Sequence, residues 1–205
     1  MPSPDRSAPL TRDRIVAEAR VQLSEEGLEQ MSLRRLASRL GVTAPALYAY
    51  VADKQDLLAA VADTGYAELL ARFEAIPTAD PAEVLREMAR AYVGLALEQP
   101  AVFQVMFRFS PSTFHVPDAD TLDGATAAFT WSAGAVAAAQ QAGVIHPDHD
   151  LSMAALVLWT ASHGSASVLL LGAQDGQARD IPEFHGLVEA MVDTTLRGLA
   201  QAPSA

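Results

Sequence analysis

The chain has 205 residues, of which half are apolar and 19% are charged, a balance typical of a globular protein long enough to bury a core. It contains no cysteine, which excludes disulfides and thiolate metal sites and leaves the cytoplasm as the expected location. Taken over the whole chain, the net charge of −11 argues against nucleic acid as a partner, because phosphate binding relies on lysine and arginine.

The acidic residues are unevenly distributed. Residues 1–60 hold eight basic and eight acidic residues, whereas the remainder holds six basic and seventeen acidic ones. A neutral N-terminal part followed by an acidic part indicates two regions with different partners. Residues 1–10 contain three prolines and no apolar core of the length that a secretory signal needs, which predicts a disordered arm.

Helix start and stop signals divide the N-terminal part into four helices. Thr11, Ser32 and Asp53 stand at N-cap positions, and Gly27 and Gly41 stand where the first two helices end. We expect a Schellman motif at Gly27, because an apolar residue follows it. The predicted helices cover about residues 12–26, 33–40, 44–51 and 54–76.

Helical periodicity continues to the end of the chain, and no strand alternation appears. Further helices are predicted at about residues 81–98, 100–109, 120–142, 151–171 and 181–200, with a loop or lid at 110–120. The sequence therefore predicts an all-α fold of about nine helices.

The two short helices around Gly41 have the dimensions of a helix-turn-helix. Six apolar side chains are spaced to pack these helices against the first one: Leu36, Ala37, Leu40, Val42, Leu47 and Val51. This spacing leaves Pro45, Tyr48 and Ala49 facing outward, where DNA would lie. Thr43 lies at a helix start, where its hydroxyl can donate a hydrogen bond to a DNA phosphate.

The stretch SLRRLASRLGVTAPALYAYVADKQDLL resembles the DNA-binding region of the TetR family of transcriptional regulators. The shared features are the Gly-Val-Thr turn, a Leu-Tyr pair, an aromatic residue two positions later and a lysine before the next helix. The resemblance covers about residues 11–58. It implies that Thr43, Tyr48 and Lys54 contact phosphate and that Arg34 reaches a base edge.

The recognition helix departs from the family pattern in its alanines. Ala44, Ala46 and Ala49 stand where many members carry longer or polar side chains, and Tyr50 stands where histidine is frequent. We therefore expect base readout from thymine-methyl contacts, from Arg34 and from DNA shape. The predicted DNA-binding residues are Arg34, Thr43, Ala44, Pro45, Ala46, Tyr48, Ala49, Tyr50 and Lys54. Tyr50 fits the core equally well, and Arg35 and Arg39 fit a solvated face better than a base contact.

Residues 59–201 are predicted to bind an effector and to dimerise. No charged residue occurs between Leu151 and Gln174, and this length would span a membrane. Interrupting hydroxyl groups and acidic flanks favour a helix buried on several sides instead. Together with the last helix and their copies in a second subunit, it would form a four-helix bundle. The predicted interface residues are Ala161, Gly164, Phe184, Leu187, Val188, Met191 and Thr195.

The same part carries enough large side chains to wall an apolar pocket. The predicted pocket residues are Tyr92, Phe103, Met106, Phe107, Phe129, Trp131, Trp159 and His163. The segment WTASHG resembles a Trp-x3-His-Gly signature of one group of TetR-like C-terminal domains, and Trp159 and His163 share a helix face. A core histidine held by a hydrogen bond is an equally good interpretation of His163.

Other chemistries find little support. The segment HPDHD, residues 146–150, has metal-ligand residue types but lies in a predicted loop without a further partner. Nucleophile elbow, phosphate loop and thiol are all missing from the sequence. We therefore predict no metal, no cofactor and no enzyme.

The sequence as a whole predicts a cytoplasmic, homodimeric regulator that a small-molecule effector releases from a palindromic operator of double-stranded DNA. The helix at 54–76 joins the two predicted sites and would transmit the signal. The alternative is a small-molecule-binding or catalytic helical protein whose N-terminal head is only structural.

Overall fold

The computed structural model describes residues 9–108, 123–174 and 186–203. Within these ranges the chain forms nine helices and no strand, so the predicted all-α fold is confirmed there. The helices are α1 (Arg12–Glu26), α2 (Leu33–Leu40), α3 (Ala44–Leu47), α4 (Lys54–Glu74), α5 (Pro81–Glu98), α6 (Pro100–Arg108), α7 (Asp123–Gln141), α8 (Leu151–Gln174) and α9 (Leu187–Leu199). The predicted loop at 110–120, Phe184 and most of the predicted arm lie outside the described residues.

The first helices begin at the predicted caps. The Thr11 hydroxyl accepts a hydrogen bond of 3.2 Å from the backbone N–H of Arg14, and the Ser32 hydroxyl accepts one of 3.3 Å from that of Arg35. The Asp53 carboxylate accepts from the N–H of Asp56 at 2.9 Å. Each cap satisfies a backbone donor that has no partner within its helix.

The Schellman motif lies at Gly41, so its prediction at Gly27 was wrong. Gly41 has φ 71° and ψ 26°; its N–H donates to the carbonyl of Ser38, and the next N–H along the chain donates to that of Ala37. Gly27 also has a positive φ of 79°, but its ψ of 169° lies outside the left-handed helical region, and its N–H donates to the Leu23 carbonyl. The tight turn therefore falls between the two short helices.

The helix α3 is shorter than predicted. It ends at Leu47 rather than Val51, because the chain tightens after this point and the N–H groups of Tyr50 and Val51 both donate to the Leu47 carbonyl, at 2.9 and 3.0 Å. Tyr48 and Tyr50 therefore lie on a turn that follows a single helical turn. The directions of these two side chains therefore depend on the contacts that fix the backbone of this turn.

The chain divides into two compact units, and each of them combines two separate stretches of the sequence. The first unit comprises Met1–Tyr66 and Gln99–Ala125, and the second comprises Ala67–Glu98 and Thr126–Ala205. The start of α4 and the whole of α6 join the first unit. Gly65 allows this packing, because a Cβ added there would lie 2.7 Å from the sulfur of Met106. The Tyr66 hydroxyl also donates to the Met106 carbonyl at 3.1 Å.

The second unit is built on a core from α5, α7, α8 and α9. Its buried members are Leu85, Ala89, Val136, Ala139, Ile145, Ala154, Val192, Leu196 and Leu199. Two ion pairs hold α5 against α9 at their edges, since Arg86 and Arg90 lie 2.9 Å from Asp193 and Glu189 respectively.

The long helix α8 is less buried than predicted. Its stretch Leu151–Leu171 is long and apolar enough to cross a membrane by length and composition only, and 17% of it is buried. One side packs on α5 and α9, whereas apolar side chains on the other side are exposed, Met153 by 56% and Leu171 by 66%. Periodicity did not reveal this difference, because both sides are apolar.

Candidate nucleic-acid interface

The first unit holds the helix-turn-helix together through the predicted apolar side chains. Five of the six are fully buried: Leu36, Ala37, Leu40, Leu47 and Val51, while Val42 is half-buried. Pro45, Tyr48 and Ala49, which were predicted to face outward, are exposed. The packing therefore orients α3 with one small, largely apolar face toward solvent.

Two tyrosines project from the turn after α3. Tyr48 is 57% exposed and Tyr50 is 38% exposed. The alternative interpretation of Tyr50 as a core residue was therefore wrong. An exposed phenol offers both a hydroxyl that can donate a hydrogen bond to phosphate and a flat ring for apolar contact.

The residues at the start of α3 offer few hydrogen-bond donors. Thr43 is exposed, and its hydroxyl makes no capping hydrogen bond. Ala44 and Ala46 are half-buried, and Pro45 lies in the first turn, where its missing N–H breaks no helical bond. Base contacts from this helix would be apolar.

Arg35 and Arg39 are engaged within the first unit. Arg35 lies 3.0 Å from Glu26, and Arg39 lies 2.6 Å from Glu18 and 2.7 Å from Glu25. The hydrogen bonds that Arg39 donates to the carboxylates of Glu18 and Glu25 raise its pKa above its ordinary value. Both arginines therefore brace α2 against α1, and their charges are balanced locally.

Arg34 and Lys54 differ from these neighbours. Arg34 is exposed on the first turn of α2, and Lys54 is half-buried on the first turn of α4. Among the described residues, the structure shows no ion pair or hydrogen bond for either side chain. These two cations are available to an external anion.

The predicted pocket residues fall into separate groups. Phe103 and Met106 are buried on α6 in the first unit, where the Phe103 ring meets Phe107 edge-on at 4.8 Å. In the second unit Trp131 stacks on Phe73 at 5.4 Å, and Phe129 is half-buried.

His163 lies at the centre of a polar group in the second unit. Its Nδ1 is 3.3 Å from the Tyr92 hydroxyl and its Nε2 is 3.4 Å from the Ser167 hydroxyl. The Trp159 ring stacks on the imidazole at 5.5 Å and 8°. Burial lowers the pKa of His163, so the neutral ring is favoured. Sequence reasoning missed Ser167 as a partner, although its position four residues after His163 on one helix was a usable signal.

The second unit also contains a shallow cleft of about 340 Å³ between α5 and α9 that sequence reasoning did not find. Its polar lining consists of Arg86, Asp193 and Arg197, over an apolar floor that includes Val144 and Leu196. It includes none of the predicted pocket residues.

The predicted dimer residues differ in their surroundings. Gly164 is exposed, and a Cβ added there would meet nothing within 4 Å. Ala161, Leu187, Met191 and Thr195 are half-buried. Val188 packs against the core of its own unit, so it is largely engaged within the chain.

The loop that carries HPDHD is held by ordinary hydrogen bonds. The Gln140 side-chain amide donates to three backbone carbonyls of this loop, and the His149 imidazole lies 2.9 Å from the Gln201 carbonyl. In the described ranges, no three metal-ligating side chains converge.

Two family models match the chain. Residues 15–61 match the model described as bacterial regulatory proteins, tetR family, and residues 85–195 match the tetracyclin repressor-like C-terminal domain. Together they cover the helix-turn-helix and most of the second unit.

Curated relatives include the HTH-type transcriptional regulator Rv1816 of Mycobacterium tuberculosis, 28% identical over 144 residues, which are 68% of this chain and 61% of that protein. The HTH-type transcriptional repressor DrrR1 of Streptomyces coeruleorubidus is 36% identical over 51% of this chain and 38% of its own length. The chain thus spans less than two thirds of the length of the curated relatives it matches.

Solved structures match over almost the whole chain. A protein of unknown function from Rhodococcus sp. RHA1 has a TM-score of 0.76 and 30% identity, over 95% of this chain and 98% of that one. A TetR family transcription regulator from Marinobacter aquaeolei VT8 has a TM-score of 0.63 and 21% identity, over 92% of this chain and 94% of that one, which shows the shared fold alone.

Proposed function

The chain belongs to the TetR family of bacterial regulatory proteins, and from this we propose that it is a DNA-binding transcriptional regulator of the cytoplasm. In this proposal it is a homodimer that represses from a palindromic operator and leaves the DNA when a small-molecule effector binds. Its role is regulatory rather than enzymatic.

The observation that carries the proposal is the contrast between paired and available cations in the first unit. Arg35 and Arg39 are balanced by glutamates, whereas Arg34 and Lys54 have no partner among the described residues. An arginine or lysine that is not already paired can neutralise a phosphate or reach a base edge without first breaking an ion pair. The exposed Tyr48 lies between these cations in sequence and adds a neutral phosphate contact.

The exposed face of α8 supports the dimer. Met153, Val157, Gly164, Val168 and Leu171 repeat at intervals of three, four or seven residues, so they share one helix face. Burial of such a face against a second copy removes it from water, and the glycine permits close approach of the helices. Two heads related by two-fold symmetry would then read the two halves of a palindrome.

The group around His163 supports an effector site in the second unit. A neutral imidazole can donate one hydrogen bond and accept another, and here Tyr92 and Ser167 stand at its two nitrogens. A ligand that replaced either hydroxyl partner would favour one conformation of the unit. A ligand that prefers the conformation with wrongly spaced heads lowers the affinity for the operator. The helix α4, which begins at Lys54 and continues into the second unit, is the element we expect to carry the change.

The test begins with selection of genomic fragments on the purified full chain, followed by fluorescence anisotropy across a range of salt concentrations. Lys54→Ala should weaken binding to all sequences and reduce the slope of log affinity against log salt by about one, because one phosphate contact is removed. Arg35→Ala removes the same charge from a paired residue and should leave the slope unchanged. Recovery of no preferred fragment would contradict DNA regulation and favour a merely structural head. An equal slope in all three proteins would contradict the phosphate contact of Lys54.

A second variant tests base recognition. Arg34→Ala should lower affinity for the selected operator by about 1–3 kcal/mol while leaving affinity for random DNA nearly unchanged. An equal loss for both DNAs would assign Arg34 to phosphate instead.

A further inference from the structure

An ion pair joins the first turn of α1 to the first turn of α4. Arg12 Nη2 lies 2.7 Å from Asp56 Oδ1, and Arg12 Nη1 lies 3.3 Å from Asp56 Oδ2. Arg12 Nη1 also donates to the backbone carbonyl of Tyr50, and Asp56 Oδ2 accepts from the backbone N–H of Ala52 at 2.7 Å. The pair therefore holds the backbone at two points between α3 and α4. We call these two side chains and their two backbone contacts the latch.

The segment that the latch holds has little support of its own. The helix α3 is a single turn of four residues, and the two backbone N–H groups after it share the Leu47 carbonyl. Short helices and exposed turns are stabilised mainly by contacts with the rest of the structure. Tyr48 and Tyr50 project from this turn, and the latch contacts its backbone at the Tyr50 carbonyl.

The charges of the latch compensate each other. Hydrogen bonding from Arg12 is the largest influence that lowers the pKa of Asp56, and the same bond raises the pKa of Arg12. Asp56 lies two residues from Lys54, where an unpaired carboxylate would repel phosphate. Arg12 balances that charge.

We infer that Arg12 and Asp56 are positioning residues for DNA recognition, which orient the tyrosine turn without touching the DNA. The inference rests on the proposed function, because it requires a DNA complex to act on. It makes a prediction opposite to that of simple electrostatics. Removal of the Asp56 charge near phosphate should strengthen DNA binding by charge alone, whereas loss of the latch should weaken it.

The experiment compares the full chain with Arg12→Ala, Asp56→Ala and the double variant on the selected operator. Each single variant should lose about tenfold in affinity, and the double variant should lose no more than either single one, because all three remove one shared interaction. The salt slope should stay that of the wild type, since the tyrosines that would be displaced carry no charge. Circular dichroism and a stoichiometric titration of active protein ensure that only folded molecules are compared.

Asp13→Ala is the matched control. It removes one carboxylate from the same turn of α1, and among the described residues the Asp13 side chain has no hydrogen bond or ion pair. Its affinity should equal that of the wild type or exceed it slightly.

Three results would overturn the inference while leaving the proposed function intact. A slope lower by about one in Arg12→Ala alone would make Arg12 a phosphate contact. Tighter binding by Asp56→Ala would leave only a charge effect. Wild-type affinity in both single variants would mean that the latch positions nothing. Failure of the wild-type chain to bind any fragment would overturn the proposed function together with this inference.

Discussion

Substitution of Gly164 by leucine tests the proposed dimer face with a glycine that the single chain does not need. A Cβ at this position meets nothing within 4 Å, and the backbone is ordinary helix. Within the protomer the change should be favourable by roughly 0.8 kcal/mol, because leucine is a better helix former than glycine. Any loss of dimer affinity in Gly164→Leu must therefore come from contacts with a second copy of the chain.

The size of that loss follows from symmetry. Overpacking of a close helix contact costs about 1–3 kcal/mol at each site, and a two-fold interface contains the site twice. The expected cost is about 2–6 kcal/mol per dimer, which raises the dissociation constant of the dimer by roughly 30-fold at the lower limit.

Sedimentation velocity over a range of protein concentrations measures this constant directly. Gly134→Leu is the control, because Gly134 on α7 is also helical, exposed and without neighbours within 4 Å. It should dimerise like the wild type. If Gly164→Leu dimerised as tightly as Gly134→Leu, the assignment of the α8 face to the dimer would be refuted.

Two further predictions concern stability. Gly65→Ala should lower the free energy of unfolding by about 1 kcal/mol in urea melts, because overpacking against Met106 outweighs the gain in helix propensity; equal or higher stability would refute the close contact. Burial lowers the pKa of His163 from its ordinary value of 6.5, so its neutral form is favoured in the folded state. The contribution of neutral His163 to the free energy of unfolding should therefore be fully present above about pH 6.5. It should be lost as the pH falls toward the lower pKa of the folded state. His163→Asn should flatten that decrease, and an unchanged profile would exclude His163 as its source.

The helix boundaries were largely predictable from sequence because their signals are local. Thr11, Ser32 and Asp53 cap helices through atoms three residues away, so no distant contact decides them. The helix-turn-helix core was predictable for the same reason, since two short helices leave few ways to bury their apolar side chains. The family resemblance added roles for Lys54 and Arg34 that spacing alone does not supply.

The end of α3 and the division into units were not predictable in this way. The turn after Leu47 is held by Arg12, which lies 38 residues before Tyr50 in the chain. The assignment of α6 to the first unit depends on the missing side chain of Gly65 and on the distant Met106. Contacts at such separation leave no periodic trace in the sequence.

Local sequence signals were sufficient for the all-α class, the helix caps, the helix-turn-helix and the placement of Lys54 at the start of α4, because each depends on residues within a few turns of one another. Long-range packing was needed to establish which arginines are paired, which face of α8 is exposed and what surrounds His163. Those properties arise when helices far apart in sequence meet, and a charge or an apolar side chain looks the same in the sequence whether or not a partner reaches it.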